Sequence, residues 1–375
     1  MVTVLPGPLL PVMAAKWGLP DIQSGAFFAA EFAASTVGAI FSPHRLRRNL
    51  PSGYASVAAG VLLLSIASQV ARPSPGHALA LGAFALIGLG IGLSVTATNL
   101  YVGSAAEETR RGERARGLSI VNLWWGIGAV ACPWLIAGTE RGGWLRLLLG
   151  LVALSAAFMF IVLSPQLRVT EVQPRIAARA SLARDAGLLL FFAILLFLYV
   201  GVENTVGGWI TTYAHRFSGL SLEDASLLVS LFWIALLIGR ALGSAALRRV
   251  PERAVLLPSL ALALAAIAVL LVPHTTGVVL TAVALAGAGF GPVFPIGVAR
   301  LLARVSDHRN TGWVFAMCAS GGAVLPWLTG VVSTRSGSLR LGFAVPVAAV
   351  AAILVLALME NAILRGSQPA LHEPA

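Results

Sequence analysis

Gly88-Leu89-Gly90-Ile91-Gly92 and Gly287-Ala288-Gly289-Phe290-Gly291 are one pattern written twice in a single chain, 199 residues apart. Each run alternates glycine with apolar residues and carries no charge. Outward from it, Pro133-Trp134-Leu135 recurs as Pro326-Trp327-Leu328 at an offset of 193, and Gly38 with Leu46-Arg47-Arg48 recurs as Gly239 with Leu247-Arg248-Arg249 at an offset of 201. One short match is chance, but three in the same order at a nearly constant offset mark an internal repeat. The halves fall at 1–164 and 185–364, joined by a polar linker over 165–184 and followed by a tail over 365–375. The glycine run is no dinucleotide loop, because no strand–turn–helix setting and no following acidic residue accompany it. It reads as a close-packing helix face.

What surrounds the glycines is apolar: 58% of residues are hydrophobic and 11% charged, against roughly 25% charged in a soluble domain. Stretches 49–71, 78–106, 117–139, 147–167, 254–273, 275–299, 310–334 and 341–359 hold no Asp, Glu, Lys or Arg. Three more are broken by one charge each: 22–43 by Glu31, 186–214 by Glu203 and 225–247 by Arg240. About 20 apolar residues span a bilayer, and lipid forces such runs to be helices because it offers the backbone no partner. Residues 1–15 are uncharged but too short to cross upright. They are expected to be the end of a first helix whose repeat counterpart is about 15 residues longer, through a misassigned start or a truncation. The expected fold is therefore an all-α membrane bundle of twelve helices in two six-helix halves. Met1 to Pro11 holds no basic segment of a cleavable signal.

Basic residues orient the bundle. Alternate loops, beginning with Arg45, Arg47 and Arg48 after the second helix, hold 18 of the 26 Lys and Arg residues; the opposite loops hold 7, and Arg240 lies within a span. The bias predicts both termini in the cytoplasm. The same scatter into short clusters argues that the net charge of +11 does not serve nucleic acid. Cys132 and Cys318 lie in apolar runs and read as buried thiols.

An ionisable group inside a span is costly and needs a reason. Glu203 is the first candidate for proton coupling, since protonation together with substrate binding resets the charge. Glu31, at the centre of the second helix, is the second. Each can instead be a structural carboxyl bonded to a neighbouring helix. Arg240 suits gating, or a stem buried with its head near water. Gln23, Asn99, Asn122 and Asn204 offer amides to a polar solute, and Trp125 and Trp209 offer flat apolar faces to a sugar ring; the plain alternative for any tryptophan is the interfacial belt. Asn122 and Trp125 share a helix face, as do Asn204 and Gly208, whose small size leaves room for a ligand.

Two similar halves joined by a linker suit alternating access about a site near the midplane. Here the chain resembles the major facilitator superfamily over essentially its whole length. Gly7-Pro8-Leu9-Leu10-Pro11, Asn122 with Gly126-x-Gly128, Tyr199-x-Gly201-x-Glu203 and Gly321-Gly322-Ala323-Val324-Leu325-Pro326 are similar to the fucose and glucose proton-symporter branch. The resemblance implies a monomeric secondary transporter in the inner membrane, taking up a hexose or related sugar with a proton. The Gly239-Arg240 pair is similar to one in that branch. The family's loop signature places an Asp four residues beyond the glycine of the second helix; Ser42 stands there, and Gly243 stands at the repeat position.

Other classes fit less well. A drug or metabolite exporter would favour a wide apolar cavity without amides. A membrane enzyme would need clustered His, Asp or Glu on facing helices, and the spans offer Glu31 and Glu203. A transport-inactive sensor or scaffold is the remaining alternative. The six histidines lie in or near loops or in the tail without metal spacing, and no Walker sequence is present, so no cofactor is expected.

Overall fold

In the computed structural model the described residues are 2–42, 46–105, 111–142, 145–166, 179–273, 275–305 and 312–366. After a short 3-10 turn at Val2–Val4 they form fourteen helices: α1 (Pro6–Trp17), α2 (Asp21–Phe41), α3 (Leu46–Ala67), α4 (Pro73–Ala105), α5 (Arg111–Gly142), α6 (Leu145–Gln166), α7 (Arg179–Phe217), α8 (Leu222–Ala246), α9 (Glu252–Val269), α10 (Thr276–Phe290), α11 (Val293–Arg304), α12 (Gly312–Ser336), α13 (Leu339–Gly342) and α14 (Ala344–Gly366). No strand occurs among the described residues. Two pairs each make a single crossing, α10 with α11 and α13 with α14, so the fourteen helices give twelve crossings in two groups of six. Ten of the crossings are long and apolar enough to span a bilayer unaided. The other two are α1, with 12 residues, and α5.

The chain turns where backbone chemistry allows it. Gly18, Gly219 and Gly337 take positive φ, 61°, 65° and 71°, just past the ends of α1, α7 and α12; a side chain there would be strained. The Ser221 hydroxyl accepts from the Asp224 N–H at 3.1 Å and caps α8. These turns share one side of the bundle, called here the Gly18 face. Apolar side chains point outward as well as inward. On α6, Leu147, Leu151, Leu154, Phe158 and Ile161 are exposed, Leu154 to 67%, which only a lipid surround makes favourable.

The duplicated glycines set the helix spacing. A Cβ on Gly88 or Gly92 would strike the Glu31 or Ser35 carbonyl of α2, and one on Gly90 would lie 2.5 Å from the Gly53 carbonyl of α3. In the second half, a Cβ on Gly287 would strike the Phe232 carbonyl and one on Gly291 would meet Arg240 N and the Leu236 carbonyl, both on α8. Gly289 would meet the Ser259 carbonyl of α9 at 2.7 Å. The outer glycines thus serve one neighbour and the middle one serves another, identically in both halves. Gly38 and Gly239 complete the match, each opening α2 or α8 to the backbone of α4 or α10.

One departure from the sequence reading has a physical cause. The span expected to run unbroken over 275–299 is interrupted between α10 and α11, because Pro292 and Pro295 bring no N–H to the helix ladder. Ser42, in the place of the signature Asp, is fully buried and donates to the Leu93 carbonyl at 2.8 Å. At the repeat position a Cβ on Gly243 would lie 2.6 Å from the Pro292 ring. Both places join α2 to α4, or α8 to the α10–α11 break, by packing. Opposite the Gly18 face, Arg300 bonds Glu252 at 2.7 Å and Glu360 at 2.5 Å, and Arg304 also pairs with Glu360, tying α9, α11 and α14.

Gly287→Val is expected to lower stability by about 1–3 kcal/mol, the usual cost of overpacking, whereas Gly150→Ala, where a Cβ meets nothing within 4 Å, is expected to be neutral. The buried free thiols Cys132 and Cys318 make a thiol-reactive dye the reporter of the melting temperature. Equal melting of both variants would contradict the glycine contacts described.

Candidate functional site

Where the two halves meet, α1 and α7 approach through glycine. A Cβ on Gly7 would lie 2.8 Å from the Gly207 carbonyl, and these two residues are repeat counterparts at an offset of 200. Beside them lies a pocket lined by Thr3, Pro6 and Phe28 from the first half and by Asn204, Gly208 and Trp233 from the second. It spans about 230 Å³ of empty space, part of it open at the mouth, of which about 10 Å³ is wide enough for water, roughly one molecule's worth.

The walls are aromatic and the fittings polar. Trp125 meets Trp233 edge to face, with centroids 5.4 Å apart at 89°, and donates its indole N–H to the Thr3 hydroxyl at 3.2 Å. Asn204 donates to the Val200 carbonyl of its own helix at 2.8 Å. The Trp233 N–H is buried without an acceptor. Leaving such a donor unmet costs about 1–3 kcal/mol, so an orphan in a pocket wall is a place for a ligand oxygen.

Glu203, next to Asn204 in sequence, faces the other way. Its Oε1 lies 3.6 Å from an Arg240 Nη, and Tyr199 is a neighbour of both. The Tyr199 hydroxyl donates to the Phe290 carbonyl at 3.0 Å, and Arg240 Nε donates to the Gly291 carbonyl at 3.3 Å. Pro295 has no N–H to give that carbonyl four residues back, which leaves it free for the guanidinium. The charged pair therefore fastens α7 and α8 to the α10–α11 break. Glu31 is set differently: it is 1% exposed and its Oε2 has no hydrogen-bond partner.

On the Gly18 face a latch joins the halves. Arg216 grips Asp21 with two bonds, 2.7 and 2.6 Å, and the Ser333 hydroxyl donates to the same carboxylate at 2.5 Å. The Ile22 N–H donates to the Thr334 hydroxyl at 2.8 Å. Deeper down, Gly25 packs on Trp327 and the Pro326 carbonyl, and Gly322 packs on the Phe32 ring. The seam of α2 against α7 and α12 is closed on this face.

Of the residues expected at a substrate, Asn204 lines the pocket and Trp125 braces it through Thr3 and Trp233. Trp209 is fully buried, and its N–H is taken by the Pro326 carbonyl at 2.9 Å, so it struts α7 against α12. Gln23 lies exposed at the start of α2 on the Gly18 face, outside the lining of the pocket. The side chains of Asn99 and Asn122 lie outside the described residues. Arg240, expected to gate, is the partner of Glu203. Thr3 and Phe28 line the pocket without having been singled out from the sequence, and Trp233, one of several tryptophans within spans, lines it with them. No cluster of metal-ligating side chains occurs among the described residues.

A twelve-crossing bundle with a small polar pocket on its pseudo-twofold seam is the architecture of a secondary transporter. The chain matches the Major Facilitator Superfamily over residues 1–311 and belongs to that family. It is 26% identical over 341 residues to a glucose/galactose transporter of Brucella abortus, an alignment covering 86% of this chain and 80% of the relative. Among solved structures, a D-xylose-proton symporter superposes with a TM-score of 0.73 at 14% identity, covering 96% of this chain and 92% of the other. The E. coli fucose:proton symporter superposes with a TM-score of 0.57 at 17% identity, covering 96% and 94%. At these identities the superpositions establish the fold.

Arg216→Gln removes charge-assisted bonds worth about 1.5–3 kcal/mol in general; with Arg216 38% exposed, a loss near the lower end, roughly tenfold in population, is expected. The check is Ser24→Cys, a buried position beside the latch (1% exposed). Its labelling by an impermeant thiol reagent should quicken roughly tenfold when Arg216→Gln is added. An unchanged rate would mean the bonds do not hold the face shut.

Proposed function

We propose that the protein takes up a hexose such as glucose or galactose together with a proton, by alternating access, as a monomer in the inner membrane. The halves 1–164 and 185–364 rock about the pocket between α1 and α7, with the linker 165–184 between them. The observation that carries this reading is the pocket's composition. Trp125, Trp233 and Phe28 offer flat apolar faces to a sugar ring, while Thr3, Asn204 and the unmet Trp233 N–H offer hydrogen bonds to hydroxyls. With room for about one water, the pocket admits a hexose only when the halves move apart, as a carrier requires and a static pore does not.

The relatives support the solute class. One is called a glucose/galactose transporter, and two structural neighbours are called proton symporters of sugars. The membrane-embedded carboxyls Glu203 and Glu31 are the groups available to take the proton. The excess of Lys and Arg on the loops opposite the Gly18 face supports a cytoplasmic side for those loops and both termini. The latched seam is then the outer one, and the conformation described is closed toward the outside.

Radiolabelled glucose or galactose uptake into proteoliposomes tests the reading. Accumulation above equilibrium is expected with an inward proton gradient and not without one. Equal uptake under both conditions would remove the proton, and no uptake of any hexose would remove the sugar. Trp233→Phe, which keeps the ring and deletes the N–H, should raise KM by roughly three- to tenfold, the worth of one neutral hydrogen bond, with little change in maximal rate.

A further inference from the structure

The two carboxyls inside the membrane stand in opposite electrostatic settings. Glu203 has a fixed counter-charge in Arg240, 3.6 Å away, and Tyr199 beside both. Arg240 is itself bonded to the Gly291 carbonyl. A proton added to Glu203 would strand the guanidinium in the bundle, and breaking one side of an internal pair is strongly unfavourable. Glu31 has no such side-chain counterweight. Among the described residues no Lys or Arg side chain lies within ion-pair distance of it, and its Oε2 is buried without a partner.

The titratable groups around Glu31 are few. The Cys132 thiol of α5 and the chain's amino-terminal charge act on it. The others on the helices packed against α2 are engaged elsewhere. His77 of α4 lies against the Phe27 ring at 5.3 Å, Cys318 of α12 neighbours Glu203, Arg335 of α12 is exposed at the Gly18 face, and Lys16 of α1 bonds the Ser68 carbonyl. A proton is the cation small enough to reach and neutralise Glu31 without a rearrangement of packed helices.

Glu31 is also wired to the pocket and to the seam. Phe28, one helical turn before it, lines the pocket and lies near the Trp209 ring at 6.4 Å. Phe32, its next neighbour, packs on Gly322 of the opposite half. The carbonyl of Glu31 is the contact that Gly88 accommodates, so the residue cannot shift without moving α2 against α4. Its charge therefore bears on the helix that crosses the interface between the halves.

Resting on the proposed proton-coupled reading, we infer that Glu31 carries the coupling proton, while Glu203 is a positioning residue that holds α7 to α8 and to the α10–α11 break. The proton bonds to a Glu31 carboxylate oxygen as the site closes and leaves to water when the opposite face opens.

Infrared difference spectroscopy of the purified protein in lipid, recorded across pH, reads the proton directly and needs no substrate. A protonated-carboxyl C=O band that titrates in the unmodified protein is expected to vanish in Glu31→Gln and to persist in the Glu203→Gln/Arg240→Gln double variant. Glu31→Asp, which keeps a carboxyl, should restore a shifted band and guards against loss through misfolding. A band that survives in Glu31→Gln, or that is lost in the double variant, would overturn the assignment. In proteoliposomes Glu31→Gln should lose gradient-driven accumulation by at least tenfold while retaining sugar counterflow. If the unmodified protein shows no gradient-driven uptake, the sugar–proton reading fails, and the infrared result still decides which carboxyl binds the proton.

Discussion

Close approach of helix backbones is the constraint on which the rest of this structure depends. Lipid supplies no partner for a peptide group and no hydrophobic drive for helices to associate. Cohesion must come from surfaces that fit, and here the fit is made by glycines at duplicated positions. Gly88, Gly90 and Gly92 bring α4 against α2 and α3, and Gly287, Gly289 and Gly291 do the same for α10 against α8 and α9. Everything functional is hung on these contacts: Glu31 lies on the backbone that Gly88 touches, and Arg240 lies on the backbone that Gly291 touches.

The scaffold is symmetric, and the chemistry on it is not. Thr3, in the turn before α1, stands at the repeat position of Glu203 in α7, and Phe232 in α8 stands at that of Glu31 in α2. One half holds a carboxyl paired with an arginine, and in the other no Lys or Arg side chain lies within ion-pair distance of Glu31 among the described residues. Between them, Gly7 on Gly207 brings α1 and α7 so near that only a small pocket fits beside them. Such a division lets one half serve as a polar frame while the charge of the other varies.

The fold was legible in the sequence because membrane helices announce themselves by length and charge, and because the duplication repeats its glycines at a near-constant offset. The break within the tenth crossing was not, since an uncharged run looks continuous and only three-dimensional packing shows what takes the carbonyls freed by Pro292 and Pro295. The site was legible in part. Buried charge marked Glu31, Glu203 and Arg240, and polarity within a span marked Asn204. Which way a side chain turns was beyond reach: Glu203 and Asn204 are adjacent and face different neighbours, and Trp209 spends its N–H on Pro326 while Trp233 keeps its own. An unmet N–H such as that of Trp233 or Trp313 is something composition does not register.

The Asp21–Arg216–Ser333 latch has a consequence for apparent affinity. A solute that must wait for one face to open binds with its intrinsic constant weakened by the fraction of time that face is open. A bidentate ion pair reinforced by a hydroxyl keeps that fraction small on the Gly18 face. One and the same pocket therefore presents a weaker apparent affinity to solute arriving from that face than to solute arriving from the other. The asymmetry lies in the gate and not in the pocket, and at equilibrium it sets no direction; net flux follows the gradients on either side.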